Sequence, residues 1–170
     1  RRVLFRSLSS CADRMDSGFS KIYRRHFMTE LTVMWRHKMH YFAEQGNAEA
    51  VAHIHQRLQQ APFRSFWEYD DVVMAPLHGF HDVHDYYEKT SSRQFLATIT
   101  VPTLVIQSQD DPFMSAAVLP TANELSSAVL FELSQKGGHV GFIEGGSPRT
   151  PLFYLERRIP EFLAQKLAQR

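Results

Sequence analysis

Thr103-Leu-Val-Ile-Gln-Ser-Gln-Asp-Asp-Pro-Phe113 decides how this 170-residue chain is read. Residues 103–108 are β-rich, follow directly on Pro102 and are apolar at consecutive positions, as expected of a strand buried on both faces. The strand runs into an acidic turn, Asp110-Asp111-Pro112. A second strand is expected over Val129–Leu133, and the roughly 20 residues between them leave room for the crossover that parallel pairing requires. Its exit carries Gly137-Gly-His139. Catalytic groups of parallel α/β sheets gather at the carboxyl ends of strands, and the aspartates and the histidine lie just past two such ends. A carboxylate there can accept the Nδ1 proton of a histidine, fix its tautomer and stabilise the imidazolium that forms when the ring takes a proton. The paired glycines let the backbone turn tightly and bring His139 to the rim. Taken alone, Asp-Asp-Pro is an ordinary turn, and a lone histidine ordinarily packs or hydrogen bonds. Their combination at successive strand exits points to acid–base chemistry, with either aspartate able to serve.

Working outward, residues 20–89 read as almost wholly helical. From Ser20 to about Glu44, Tyr23, Phe27, Leu31, Met34 or Trp35, Met39 and Phe42 recur at three to four residues, with Lys21, Arg24, Arg25, Arg36 and Lys38 between them. A surface helix with a solvated charged face accounts for this better than a basic membrane-binding helix. Gly46 stops it, and Asn47 caps a second helix carrying Val51, Ile54 and Leu58 that ends near Pro62. A short helix is expected within Phe63–Val73, ending before Pro76, and another over Asp82–Lys89. Ser91 or Ser92 then caps a short helix with Phe95 and Leu96. Ser115–Leu125 is expected to supply the crossover helix, kinked or split by Pro120. Leu152–Leu167 reads as an amphipathic closing helix containing Pro160. The fold class is therefore α/β: a helical segment followed by a β-α-β-α unit.

Composition narrows the partners. Hydrophobic content of 44%, charged content of 22% and a formal charge of +1 fit a globular protein and give no reason to expect nucleic acid. Cys11 is the single cysteine, which excludes an internal disulfide and a Cys-rich metal site. No apolar run approaches the roughly 18 residues that cross a bilayer, so stable membrane insertion is not expected. With no secretory signal visible, the default setting is cytoplasmic. There is no initiator methionine, and Arg1-Arg-Val-Leu-Phe-Arg-Ser7 reads neither as a cap nor as an amphipathic element, so an irregular or foreign leader is expected over 1–10.

Phe66–Phe80, Tyr86-Tyr87, Pro102–Met114, Gly137-Gly-His-Val-Gly-Phe142, Gly18–Tyr23 and Leu155–Pro160 together closely resemble the YheT-like branch of the α/β-hydrolase superfamily. The likeness covers nearly everything from about Cys11 onward. It implies the C-terminal half of that fold: a helical cap and connecting helices over 11–98, then the last two parallel strands with flanking helices over 99–170. It further implies a serine esterase of short acyl esters or monoacylglycerol-type lipids, with no metal and no organic cofactor. In the family's strand-exit motif the acid directly precedes the proline. The resemblance therefore assigns the acid to Asp111 and the base to His139, and leaves Asp110 to help shape the turn. The superfamily order is nucleophile, acid, histidine. No Gly-x-Ser-x-Gly occurs in the 170 residues. Ser20 follows Gly18 but lacks the second glycine and a preceding strand, and reads as a helix cap. The chain thus reads as a C-terminal fragment whose serine and oxyanion loop lie upstream, in the missing N-terminal half of the same fold. The alternative is a catalytically inactive fragment or non-enzymatic binding remnant.

His78, His81 and His84 recur every three residues and raise the question of zinc. Pro76 and Gly79 make that turn irregular, no carboxylate ligand is singled out and the resembling family needs no metal, so His78 is expected to make structural hydrogen bonds. His53 and His55, two apart on a helix, do not share a face. Phe113 and Met114 read equally well as acyl-pocket lining and as core.

Overall fold

The computed structural model describes residues 7–169. They form two compact units, Cys11–Thr90 and the stretch 91–169 with 7–10. Helix α1 (Leu8–Met15) begins within the expected leader, so the irregular run does not extend past residue 7; residues 1–6 of that expectation lie outside the described residues.

In the helical unit, α2 (Ser20–Glu44) has the extent its period predicts. Ser20 is its first residue and not its cap, since Phe19 occupies the N-cap position. The inward stripe is Met28, Leu31, Trp35, Met39 and Phe42, packed with Ile54 and Leu58 of α3 (Ala48–Leu58) and with Phe63, Tyr69 and Val73. Of the periodic positions, Tyr23, Phe27 and Met34 remain well exposed. Gly46, at φ +70°, ends α2, and the Asn47 side chain accepts the Ala50 N–H at 3.0 Å to start α3. Trp35 Nε1 donates to the buried Tyr69 hydroxyl at 2.9 Å, so this polar pair is satisfied inside the apolar cluster.

The helix expected to stop before Pro76 continues through it. α4 (Phe66–Tyr69) passes into a π-helical turn, Asp70–Met74, and then α5 (Ala75–Leu77). The Ala75 N–H reaches back to the Asp70 carbonyl, one residue further than in an α-helix. That wider turn shifts the hydrogen-bond register just where proline, lacking an N–H, would break an α-helical ladder. α6 (Val83–Thr90) closes the unit.

Tyr87 of α6 donates its hydroxyl to Asp70 Oδ2 at 2.6 Å. Burial pushes the Asp70 carboxyl up to about 6, the Tyr87 hydrogen bond only partly opposing it. The raised value means the fold favours the protonated form, so ionised Asp70 destabilises the unit above about pH 6. The penalty fades as pH falls from 6 toward the ordinary carboxyl value near 4. Asp70→Asn, which keeps an acceptor for Tyr87, is expected to stabilise the chain at pH 7 by about 1–2 kcal/mol, the gain vanishing near pH 4. Denaturant unfolding of both proteins between pH 4 and 7.5 measures this; parallel pH profiles would refute it.

In the second unit β1 (Thr103–Ser108) pairs in parallel with β2 (Val129–Ser134), from Thr103 opposite Val129 to Ser108 opposite Ser134. The content is α/β, as the sequence predicts. No α-helix joins the strands. Two 3₁₀ turns, Ala116–Val118 and Ala122–Glu124, stand on either side of Pro120, so the proline splits the crossover. Thr121 and Glu124 form a capping box on the second turn, and Arg93 holds the Glu124 carboxylate in a fork at 2.6 and 2.8 Å. The segment led by Ser91 is likewise a 3₁₀ helix, Ser92–Thr98, and the Ser91 hydroxyl accepts the Leu8 N–H instead of capping it.

The reading of a helix from Leu152 also needs correcting. β3 (Ile143–Ser147) and β4 (Thr150–Phe153) form an antiparallel hairpin, and α7 begins at Tyr154 and runs to Leu167 with Pro160 inside it. Gly145-Gly146-Ser147-Pro148 is the turn signal for it: Gly146 sits at φ +88°, and the carbonyl of Thr150 would lie 2.3 Å from an added Cβ. α7 is tied to β2 through Glu132, which accepts from Tyr154 Oη at 2.8 Å and Arg158 Nε at 2.9 Å.

Candidate active site

The site forms where β1 and β2 end. Gln109 N–H donates to the Ser134 carbonyl at 2.8 Å, extending the pairing one step beyond the strands and bringing the 110–111 turn beside the 137–139 turn. His139 Nδ1 lies 2.9 Å from Asp111 Oδ2. Asp111 is buried, with 6% of its surface exposed, whereas the histidine side chain keeps 28%. An ionised carboxylate only accepts, so this contact suits a ring protonated on Nδ1, the tautomer that would leave Nε2 free to accept a proton.

The carboxylate is oriented by more than the histidine. Asp111 Oδ1 accepts the Phe113 N–H at 2.8 Å, and Oδ2 also accepts from Gln107 Nε2 at 3.2 Å. Gln107 is a buried strand residue in the inward row with Thr103 and Val105. Sequence reasoning passed over it, although an amide at an inward strand position is a signal that something polar waits there. Phe113, left open between pocket and core, sets its ring edge-on to the imidazole with centroids 5.1 Å apart. Met114 is buried.

Asp110 faces the other half of the turn. Its Oδ1 accepts from Gly137 N at 2.9 Å and Gly138 N at 2.8 Å, and Ser108 Oγ donates to the Gly138 carbonyl. The Gly138 amide is the main reason its carboxyl is held below the usual range. Gly138 needs its freedom, at φ +57°. Gly137 needs its smallness, because an added Cβ would meet the Phe142 ring at 2.7 Å.

The three spaced histidines go to separate neighbours. His78 stacks near Tyr86, His81 Nδ1 lies 2.9 Å from Asp82 Oδ2, and His84 packs on Trp67. Among the described residues, no group of three or more His, Cys, Asp or Glu is placed to hold a metal ion. No described helix is long and apolar enough to cross a membrane.

Similarity to known proteins bears on this geometry. YheT of Escherichia coli (strain K12), which carries an esterase name, is 36% identical over 160 residues, or 94% of this chain and 45% of that protein. The monoacylglycerol lipase ABHD2 of Homo sapiens is 34% identical over 102 residues, 58% of this chain and 24% of the lipase. The medium-chain fatty acid ethyl ester synthase/esterase 2 of Saccharomyces cerevisiae is 37% identical over 82 residues, 48% of this chain and 18% of that enzyme. The chain thus spans less than half the length of each, and the match falls in their C-terminal portion. No family model and no solved structure matches significantly. This shared sequence relates the chain to the C-terminal portion of α/β-hydrolases of the YheT and ABHD2 kind.

Proposed function

We propose that this chain supplies the acid and the base of a Ser-Asp-His relay in a hydrolase of carboxylic esters, of the short-acyl or monoacylglycerol type. The observation that carries the reading is the His139–Asp111 hydrogen bond at the exits of two parallel strands, in a chain whose relatives bear esterase and lipase names. β1 and β2 are then the last two strands of the complete sheet, and 11–98 corresponds to the family's cap and connecting helices. The nucleophilic serine belongs to the part of the fold that precedes them, in keeping with a match to the C-terminal portion of longer proteins.

In that enzyme His139 Nε2 removes the serine hydroxyl proton as the oxygen attacks the ester carbonyl, then delivers the same proton to the departing alcohol. Water regenerates the serine by the reverse use of the same nitrogen. Asp111 keeps the Nδ1 proton in place and stabilises the imidazolium while it exists. Residues 1–170 alone contain no Gly-x-Ser-x-Gly, which favours the companion reading that this chain by itself is inactive. Removing the nucleophile of such a relay costs about 10⁶-fold in kcat.

A short-chain nitrophenyl ester assay tests both. The chain alone is expected to show no turnover above background. A longer form that includes the upstream part is expected to turn over ester and to lose that activity in His139→Ala. Turnover by the 170 residues that His139→Ala abolishes would overturn the inactive reading, and an upstream part without a serine elbow would sink the proposal.

A further inference from the structure

We propose that Asp110 is a positioning residue for His139, acting by clamping the two glycines that precede it so that the imidazole stays in the Nδ1–H form Asp111 accepts. The proposal rests on the relay reading of the His139–Asp111 pair. Adjacent carboxylates divide the support of one histidine: Asp111 takes the ring, Asp110 takes the backbone leading to it. One oxygen of Asp110 receives two successive amides, from Gly137 and Gly138. Ser108 donates to the Gly138 carbonyl, so residues 108–110 hold the turn by three separate hydrogen bonds.

The need for a clamp follows from the sequence. Tandem glycines have the broadest backbone distribution of any dipeptide, and fixing them is entropically unfavourable. Gly138 lies in the left-handed region at φ +57°, with nothing within 4 Å of where its Cβ would be. Side-chain packing therefore does not hold that residue; hydrogen bonds do. His139 comes next in the chain, so any spread in the 137–138 backbone passes directly into the distance between Nδ1 and Asp111. Asp110 is solvent-exposed. Burial of apolar surface gives no reason for its presence, whereas two successive N–H groups aimed at one point form an anion-receiving nest.

The clamp differs from a simple charge effect in what asparagine does. Asp110→Asn keeps the Oδ1 acceptor and removes the charge; Asp110→Ala removes both. Long-range proton–nitrogen correlation on the ¹⁵N-histidine-labelled chain, with His139 assigned by its loss in His139→Gln, reads the ring tautomer directly. The wild type is expected to hold the Nδ1–H form, and Asp110→Asn to retain it. Asp110→Ala is expected to shift the Nδ1–H to Nε2–H ratio about tenfold, the size of one ordinary hydrogen bond. Ser108→Ala is expected to move it in the same direction by less, and it decides the matter if Asp110→Ala fails to fold. A wild-type Nδ1–H form indifferent to Asp110→Ala and Ser108→Ala overturns the proposal alone. So does Asp110→Asn behaving like Asp110→Ala, which would make charge the agent. A wild-type ring without the Nδ1–H form overturns the relay reading, and the proposal with it. Ester turnover enters none of these outcomes.

Discussion

If the proposed relay holds, Asp111→Asn is expected to lower ester turnover by the longer form about 10⁴-fold, with little change in KM. The reason lies in how its two oxygens are used. Oδ1 accepts the Phe113 N–H, while Oδ2 accepts both Gln107 Nε2 and His139 Nδ1. An asparagine has one acceptor and one donor group, so it must turn its NH₂ toward at least one of these donors. The backbone N–H of Phe113 cannot move away, which points the new NH₂ at Gln107 and His139. His139 then has to accept at Nδ1, and its proton moves to Nε2, the nitrogen that should be basic. The variant keeps the volume of the acid and inverts the tautomer. Kinetics of the longer form, together with the ring-nitrogen spectrum of this chain, check the two halves of that statement. A variant with near-normal kcat would remove Asp111 from the relay.

Gly137→Ala is expected to destabilise the second unit by about 1–3 kcal/mol, the range for overpacking a filled site, and to displace His139. The added methyl would sit 2.7 and 2.8 Å from two ring carbons of Phe142 and 3.1 Å from Ser108 Cβ. Phe142 has little room to retreat. It is buried, its φ is +41°, and its backbone is held at both ends, the N–H by the Gly137 carbonyl at 2.9 Å and the carbonyl by the Tyr154 N–H at 2.8 Å. Gly141→Ala makes the control, because its Cβ would meet only the Gly137 carbonyl oxygen, at 3.4 Å. Denaturant unfolding is expected to rank the two variants well apart. Equal stability would show that the Phe142 ring gives way.

What could be read from sequence, and what could not, divides along physical lines. The strand at Thr103–Ser108 and the helix from Ser20 to Glu44 were legible because hydrophobic periodicity and end signals agreed. That an aspartate would meet His139 was legible because strand exits concentrate polar residues that have no role in the sheet, while the choice of Asp111 over Asp110 came from the family resemblance. Proline was harder to read than glycine. Pro120 splits the crossover as expected, yet Pro76 is absorbed by a π turn, an accommodation that depends on carbonyls a whole turn away. The hairpin at 143–153 was missed because Leu152 and Phe153 also continue the helical period of α7. Local pattern offered two answers, and pairing across the chain chose between them. Gln107 escaped for a related reason: a single polar residue in a strand has no meaning until its partner is placed beside it.

The Asp111-Pro112 bond gives the buried acid a further chemical property. Aspartyl–prolyl links are the peptide bonds most easily cut by mild acid, because the aspartic side chain assists scission of its own peptide bond and the prolyl nitrogen leaves readily. In the folded chain that side chain is occupied by Phe113, Gln107 and His139, so it is kept from attacking its own backbone. Unfolding releases it, and scission there would part the acid from the histidine for good. The same three hydrogen bonds that orient the carboxylate thus also keep it away from its own peptide bond.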